Sequence, residues 1–236
     1  MSDTLIIIPT YNEVENIAPI TEAVLLQDEN LHLLFVDDNS PDGTPQRIQE
    51  MIRRFPNKVY ILSRSGKLGL GTAYIAGFKW ALERPYEFIF EMDSDFSHDP
   101  KDIPRLKKRC LEGYDLAIGS RYCKGGKIEN WPLSRWLLSF FANLYVRTIL
   151  WVNIKDSTAG FKCYRRKALE SIALDVIDFK GYAFQICMKY AVVKKKFRVA
   201  EVPITFKDRL FGESKMSSGI FKEALFGVWK MKRMRL

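Results

Sequence analysis

Histidine is almost absent from this chain of 236 residues; His32 and His98 are its only two. They match neither H-E-x-x-H nor a zinc-finger spacing, which excludes the familiar zinc chemistries. Cysteine is sparse as well. Cys110, Cys123, Cys163 and Cys187 form no C-x-x-C pair. A chain of this length buries a core without staples, so free thiols in a reducing compartment are expected. No uncharged apolar run reaches the ~18 residues of a membrane-spanning helix; the longest, Trp136–Val146, is bracketed by Arg135 and Arg147. The start, Met1-Ser-Asp-Thr4, lacks the basic residues of a secretory signal. Two glycine signatures are missing too. No G-x-G-x-x-G follows the first apolar run and no G-x-x-x-x-G-K-[ST] occurs, which excludes a nicotinamide fingerprint and a P-loop. Repeats and low-complexity tracts are absent, and no Ser–His or Cys–His pair suggests a nucleophilic triad.

What is present is an ordinary globular composition, 47% hydrophobic and 28% charged, with charge unevenly placed. The net charge is +9. Residues 179–236 hold 14 Lys and Arg against 4 Asp and Glu, whereas the rest of the chain is close to neutral. A basic C-terminal quarter suits an anionic partner: a phosphorylated ligand, an acidic membrane surface or nucleic acid. A solvated basic face is the plain alternative.

The first 120 residues alternate apolar runs with amphipathic stretches. Leu5–Ile8, Leu33–Val36, Val59–Leu62, Phe88–Met92 and Leu116–Ile118 lack polar alternation, as strands buried on both faces do. Helices are expected over Val14–Leu26, Thr44–Phe55, Thr72–Leu82 and Ile103–Glu112. This rhythm implies an α/β fold with a mostly parallel sheet, whose ligands bind beyond the carboxyl ends of the strands. Polar clusters stand at four of those ends: Pro9-Thr-Tyr-Asn-Glu13, Asp37-Asp38-Asn39-Ser40-Pro41-Asp42-Gly43, Asp93-Ser94-Asp95 and Gly119-Ser120-Arg121. Carboxylates gathered at one sheet edge repel one another unless a cation or a hydrogen-bond donor compensates.

Asp93 and Asp95, an Asp-x-Asp after a buried strand, are expected to point the same way and to hold Mg²⁺ or Mn²⁺ with positions open for phosphate oxygens. Asp38 and Glu13 are placed to accept hydrogen bonds from a base or ribose, while Pro41, Asp42 and Gly43 read as a turn. Arg121, Arg135, Ser139, Arg209 and Lys215 could together hold phosphates. Arg135, Ser139, Asn143 and Arg147 form one polar stripe on a helix that is otherwise greasy, with Trp136, Leu137, Leu138, Phe140, Phe141 and Leu144. That helix is either buried against the body or seated in a membrane interface. Ile220–Lys232 is a second amphipathic candidate ending in a basic tail, which could meet anionic lipid or dock on the core.

Taken in order, Ile7-Ile-Pro-Thr-Tyr-Asn-Glu13, Val36-Asp-Asp-Asn-Ser-Pro-Asp-Gly-Thr44, Gly69-Leu-Gly-Thr-Ala-Tyr74, Met92-Asp-Ser-Asp95, Gly119-Ser-Arg121, Thr158-Ala-Gly-Phe-Lys162 and Phe211-Gly-Glu-Ser-Lys-Met216 resemble the family 2 inverting glycosyltransferases of GT-A fold, and within them the dolichol-phosphate (polyprenol-phosphate) mannose synthases. The resemblance implies a catalytic domain over 1–216, with 217–236 a basic amphipathic helix of the same domain. It implies metal-dependent transfer of mannose from GDP-mannose to a polyprenyl monophosphate, with inversion. Pro9, Tyr11, Glu13, Val36 and Asp38 would hold the guanosine. Asp93 and Ser94 would meet the nucleotide sugar, Asp95 the metal, and Arg209 and Lys215 the phosphates. Arg121, Arg135 and Ser139 would hold the acceptor phosphate, with Asp93, Asp95 and Arg121 the catalytic set. Ser97 stands where the family often has a glutamine as a further metal ligand. Many relatives carry C-terminal transmembrane helices; this chain resembles the short subclass, expected on the cytoplasmic face of a membrane, peripherally or through a small anchoring protein. The Gln-x-x-Arg-Trp motif of processive synthases is absent, which argues against polymer synthesis. Rival readings are a transferase of glucose or another UDP-linked sugar and a non-catalytic membrane-associated subunit. Nucleic acid as a partner leaves the acidic strand ends without a use.

Overall fold

The computed structural model describes residues 3–208 and 218–234. In chain order the elements are β1 (Thr4–Thr10), α1 (Val14–Leu25), β2 (Leu31–Asp37), α2 (Thr44–Arg54), β3 (Val59–Ser63), α3 (Leu70–Leu82), β4 (Phe88–Glu91), α4 (Ile103–Leu111), β5 (Leu116–Ser120), β6 (Lys127–Ile128), α5 (Leu133–Leu150), β7 (Lys162–Arg165), α6 (Arg166–Glu170), α7 (Tyr182–Lys194), β8 (Val199–Pro203), β9 (Thr205–Phe206) and α8 (Ser218–Arg233). The expected strands and helices of the first 120 residues are all present.

Seven strands form one sheet in the order β3-β2-β1-β4-β7-β5-β8, and β6 pairs with β9 in a short separate ribbon. The large sheet is parallel except for β7, which runs antiparallel between β4 and β5. Alternate side chains of β1 enter different cores, which explains the missing polar alternation. Leu5 and Ile7 pack with Tyr74 and Phe78 of α3 and with α7. Ile6 and Ile8 pack with Ile17, Ile20 and Val24 of α1, Ile48 of α2 and Leu106 of α4. All four β1 residues are fully buried, each contributing about 1.5–3 kcal/mol of apolar transfer.

The two amphipathic helices resolve differently. In α5 the polar stripe turns inward. Asn143 is buried, and its Oδ1 accepts from the Ser157 N–H and Oγ–H at 2.7 Å each. The greasy side stays outside: Trp136, Leu137, Leu138, Phe140, Phe141 and Leu144 are 37–58% exposed. Only Val146 and Leu150 of its apolar residues are buried, near the helix end. Helix α8 buries Val228 and Met231 in the core that α7 lines, and leaves Phe226 and Trp229 outside. No helix among the described residues is long and apolar enough to cross a membrane.

The glycine-rich stretch has a packing role. Gly69 has φ +105°, and the Gly71 N–H donates to the Lys180 carbonyl at 2.9 Å. A Cβ on Gly71 would lie 2.2 Å from the Phe179 carbonyl oxygen and 2.8 Å from the Phe184 ring. Residues 179–181 are thereby seated on the start of α3, beside the carboxyl edge of the sheet. Gly71→Ala is expected to destabilise the fold by about 1–3 kcal/mol through overpacking, read as a lower urea midpoint. An unchanged midpoint would mean that the 179–181 segment is free to move aside.

Candidate active site

A cavity of about 380 Å³ opens at the carboxyl ends of β1, β2, β4 and β5. Its wall includes Pro9, Tyr11 and Glu13 after β1, Asp38 after β2, Asp93, Ser94, Asp95 and Ser97 after β4, and Arg121 after β5. Arg135 of α5 and Tyr182 and Gln185 of α7 close the far side. Most residues picked out by the strand-end rule therefore converge.

The loop after β2 is built by its own acids. Asp37 accepts from Thr10 Oγ1 at 3.0 Å, the Ser40 N–H at 3.0 Å and Ser40 Oγ at 2.6 Å, fixing the turn beside β1. Asp42 accepts from the Thr44 N–H and Oγ–H and from the Val14 N–H, tying the starts of α2 and α1 together. Asp38 is the acid that faces the cavity. Its carboxylate meets Arg64 (Nε–Oδ1 2.8 Å) and accepts the Leu68 N–H at 3.1 Å. Burial raises its pKa, and Arg64 offsets part of that rise.

After β4, Asp93 and Asp95 both reach the cavity. Asp93 Oδ1 lies 3.4 Å from the Tyr74 hydroxyl, and the Asp93 N–H donates to His98 Nδ1 at 3.3 Å. His98 is buried and stacked on Phe161 at 5.1 Å. Burial pushes its pKa down to about 4, with the Asp95 charge opposing, so the ring is a neutral acceptor near pH 7. Asp95 Oδ1 accepts from the Ser97 N–H at 3.1 Å and Oγ–H at 2.6 Å. Ser97 thus aims Asp95, while its own oxygen keeps a lone pair. Among the described residues no cluster of three or more His, Cys, Asp or Glu could cage a cation. The donor set is two carboxylates and a hydroxyl, all oxygen, at an open wall. That fits Mg²⁺ or Mn²⁺ completed by phosphate oxygens rather than a closed protein site.

The cationic side differs from the expectation in detail. Arg121 is buried against Asp156, with Nε–Oδ2 2.8 Å and Nη2–Oδ1 2.7 Å, and Nη2 also donates to Thr158 Oγ1 at 2.7 Å. Burial alone would lower the Arg121 pKa and raise that of Asp156; their pairing reverses both. Arg121 therefore reaches the cavity with its charge already balanced. Arg135 lies 4.1 Å over the Trp131 ring and 3.1 Å from Asp208. Two expected residues do not line the cavity. Val36 has its side chain wholly in the core, packed towards Gly77. Ser139 lies one turn after Arg135 and faces Tyr122. Arg209 and Lys215 lie outside the described residues.

Sequence reasoning missed a layer under the cavity. Glu91 and Lys162, ladder partners of β4 and β7, are fully buried and 2.9 Å apart. Glu91 also accepts from the Tyr164 hydroxyl at 2.8 Å. Lys189 of α7, 1% exposed, donates to the carbonyls of Ser157 (3.0 Å) and Ala159 (2.6 Å). Burial drives its pKa well below the usual lysine value. Arg64 stands directly after β3, where the strand-end rule points; Asp156, Lys189 and Gln185 carry no local signal.

Residues 5–173 match the family described as glycosyl transferase family 2. A polyprenol monophosphomannose synthase of Mycolicibacterium smegmatis is 48% identical over 225 residues, 95% of this chain and 85% of that protein. An undecaprenyl-phosphate mannosyltransferase of Micrococcus luteus is 47% identical over 229 residues, 95% of this chain and 91% of that protein. Among solved structures, a Mycobacterium tuberculosis glucosyl-3-phosphoglycerate synthase, in complex with Mn²⁺, UDP and phosphoglyceric acid, superposes with a TM-score of 0.72 at 16% identity. It covers 100% of this chain and 80% of that one. The Pyrobaculum calidifontis mannosyltransferase PcManGT, in complex with GDP-Man and Mn²⁺, gives 0.61 at 14% identity, over 94% of this chain and 60% of that one. At such identities these two speak for the GT-A fold alone. The family match spans most of the chain, the relatives match it nearly end to end, and the sheet edge carries the acids that the motifs required: the chain belongs to the glycosyl transferase family 2 enzymes.

Proposed function

We propose that this enzyme transfers mannose from GDP-mannose to a polyprenyl monophosphate at a membrane surface, with a divalent metal and with inversion. Residues 1–216 form the catalytic domain in this reading, and 217–236 a basic helix belonging to it. The observation that carries the reading is one cavity with an acidic wall at Asp93 and Asp95 and a cationic wall at Arg135, on a helix whose outer face is bare and apolar. The named activities of the relatives support it.

Pro9, Tyr11, Glu13, Asp38 and the Val36 main chain take the guanosine, with Arg64 holding Asp38 in place. Asp93 and Ser94 meet the sugar and diphosphate. Asp95, aimed by Ser97, holds Mg²⁺ or Mn²⁺, which neutralises charge on the departing diphosphate when bound. Arg209 and Lys215 are the phosphate-binding cations in this reading. Arg135, Arg121 and Ser139 serve the acceptor, Arg121 by shaping the wall with Asp156 rather than by net charge.

A phosphate monoester with second pKa near ~6 is largely a dianion at neutral pH. Its oxygen attacks the anomeric carbon as the bond to the diphosphate oxygen breaks, and GDP leaves with the electron pair. No proton needs removal, so no general base is required. A single displacement inverts the centre. The protein's share is alignment and separation of two anions. The acceptor phosphate must also displace Asp208 from Arg135.

The exposed faces of α5 and α8 and the basic residues Lys230, Lys232 and Arg233 suit an anionic bilayer.

Asp95→Ala is expected to reduce transfer by at least about 10³-fold at saturating Mg²⁺ or Mn²⁺. Near-wild-type turnover would remove Asp95 from the metal role. Arg135→Ala is expected to raise the KM for acceptor by about 10-fold or more and to leave the KM for donor within about twofold. Equal effects on both substrates would place Arg135 elsewhere in the reaction.

A further inference from the structure

Gln185 is an amide in a place that needs an explanation. It stands one turn into α7, is 3% exposed, and still lines the cavity. Its orientation is fixed from below. Lys162 Nζ contacts Gln185 Oε1, and an ammonium group has only donors, so the atom facing it is the carbonyl oxygen. Lys162 is itself held by Glu91 at 2.9 Å and by the Ala159 carbonyl at 3.3 Å. With the oxygen pinned downward, the NH₂ group must point the other way. Gln185 Nε2 has no hydrogen-bond partner among the described residues, and it is not one of the buried atoms left unsatisfied. It is therefore a donor presented to the cavity.

Its surroundings say what it serves. Ala159, which Lys162 and Lys189 both grip, is followed by Gly160. A Cβ on Gly160 would lie 3.5 Å from Asp93 Oδ2 and 3.2 Å from the His98 ring, so the backbone there abuts the Asp93 carboxylate. The floor thus offers an acceptor, Asp93, and a donor, the Gln185 amide, held by one rigid layer. Phosphates are provided for elsewhere by cations: Lys67 and Lys180 line the wall, as does Arg135. A neutral donor and a carboxylate lining one cavity are the pairing that a hydroxyl group satisfies, since a hydroxyl both donates and accepts.

We propose that Gln185 is a specificity-determining residue whose Nε2 donates to a hydroxyl of the transferred sugar, with Lys162 as the positioning residue that sets the amide. This rests on the reading of the enzyme as a GDP-mannose-dependent transferase. A site built to hydrogen-bond a hydroxyl rejects analogues that lack it, because its donor is left unpaired.

The test uses the full chain with Mn²⁺ and compares wild type with Gln185→Met, which keeps the volume and removes the donor. Affinities for GDP and GDP-mannose are measured by calorimetry, and transfer is measured with GDP-mannose and with its singly deoxygenated sugars. Gln185→Met is expected to weaken GDP-mannose about 10-fold while GDP stays within about twofold. For one deoxygenated donor, a wild-type rejection of about 10²-fold should collapse to about threefold, with the other ratios kept. Equal losses for GDP and GDP-mannose, or retention of every ratio, would overturn the proposal. If Gln185→Met fails to fold, Gln185→Glu keeps an oxygen towards Lys162 and should lose the same ratio; retention there overturns it too. The calorimetric arm stands apart from transfer. A wild-type protein that binds GDP-mannose but labels no polyprenyl phosphate would refute the reaction, and the two GDP ligands would still decide on Gln185.

Discussion

The Glu91–Lys162 pair is the constraint on which the site depends. Both residues are fully buried, and they are paired across one of the two antiparallel junctions that β7 makes in the sheet. An isolated charge at that depth would cost several kcal/mol. Here the carboxylate takes Lys162 and the Tyr164 hydroxyl, and the ammonium takes Glu91, Gln185 and the Ala159 carbonyl. Satisfied in this way, the pair locks the end of β4 to β7. The two residues after Glu91 lead to Asp93, and the three before Lys162 lead back to Ala159 and the cavity. Breaking such a pair on one side typically costs ~3–5 kcal/mol, and the geometry of the acidic wall would go with it.

Around this layer the charges are sorted rather than merely abundant. Arg121 and Asp156 neutralise each other, and so do Arg64 and Asp38. The rest of the cavity lining includes Asp93 and Asp95, Arg135 in its pair with Asp208, and the Gln185 amide. In the proposed reading, a metal-bound diphosphate, a second phosphate and a sugar would each use one of these groups. The apolar side of α5 continues from the cationic rim to the surface, so an acceptor with a lipid tail would enter where its tail has somewhere to go.

The fold was largely legible because its rules are local. Doubly buried strands have to read as unbroken apolar runs, as Leu5–Ile8 does, and their carboxyl ends have to meet at one edge. Asp38, Asp93, Asp95 and Arg121 were found that way. The antiparallel β7 was not, because Lys162-Cys-Tyr-Arg165 places a charge where a core strand is expected to be apolar. Lys189 and Gln185 were illegible for a related reason. On a helix with little amphipathic contrast, a buried lysine is indistinguishable from a solvated one until its carbonyl partners are known. Val36 and Ser139 show the opposite limit. Both are motif positions, yet the Val36 side chain turns into the core and Ser139 towards a neighbouring tyrosine.

The most direct measurement is label transfer into a polyprenyl phosphate held in detergent or vesicles. Purified protein with Mg²⁺ or Mn²⁺ is given radiolabelled GDP-mannose, UDP-glucose or UDP-N-acetylglucosamine in separate reactions. Metal-dependent label in lipid from GDP-mannose alone is the expected result. Label from a UDP-sugar instead, or none from any donor by a protein shown to be folded, would contradict it.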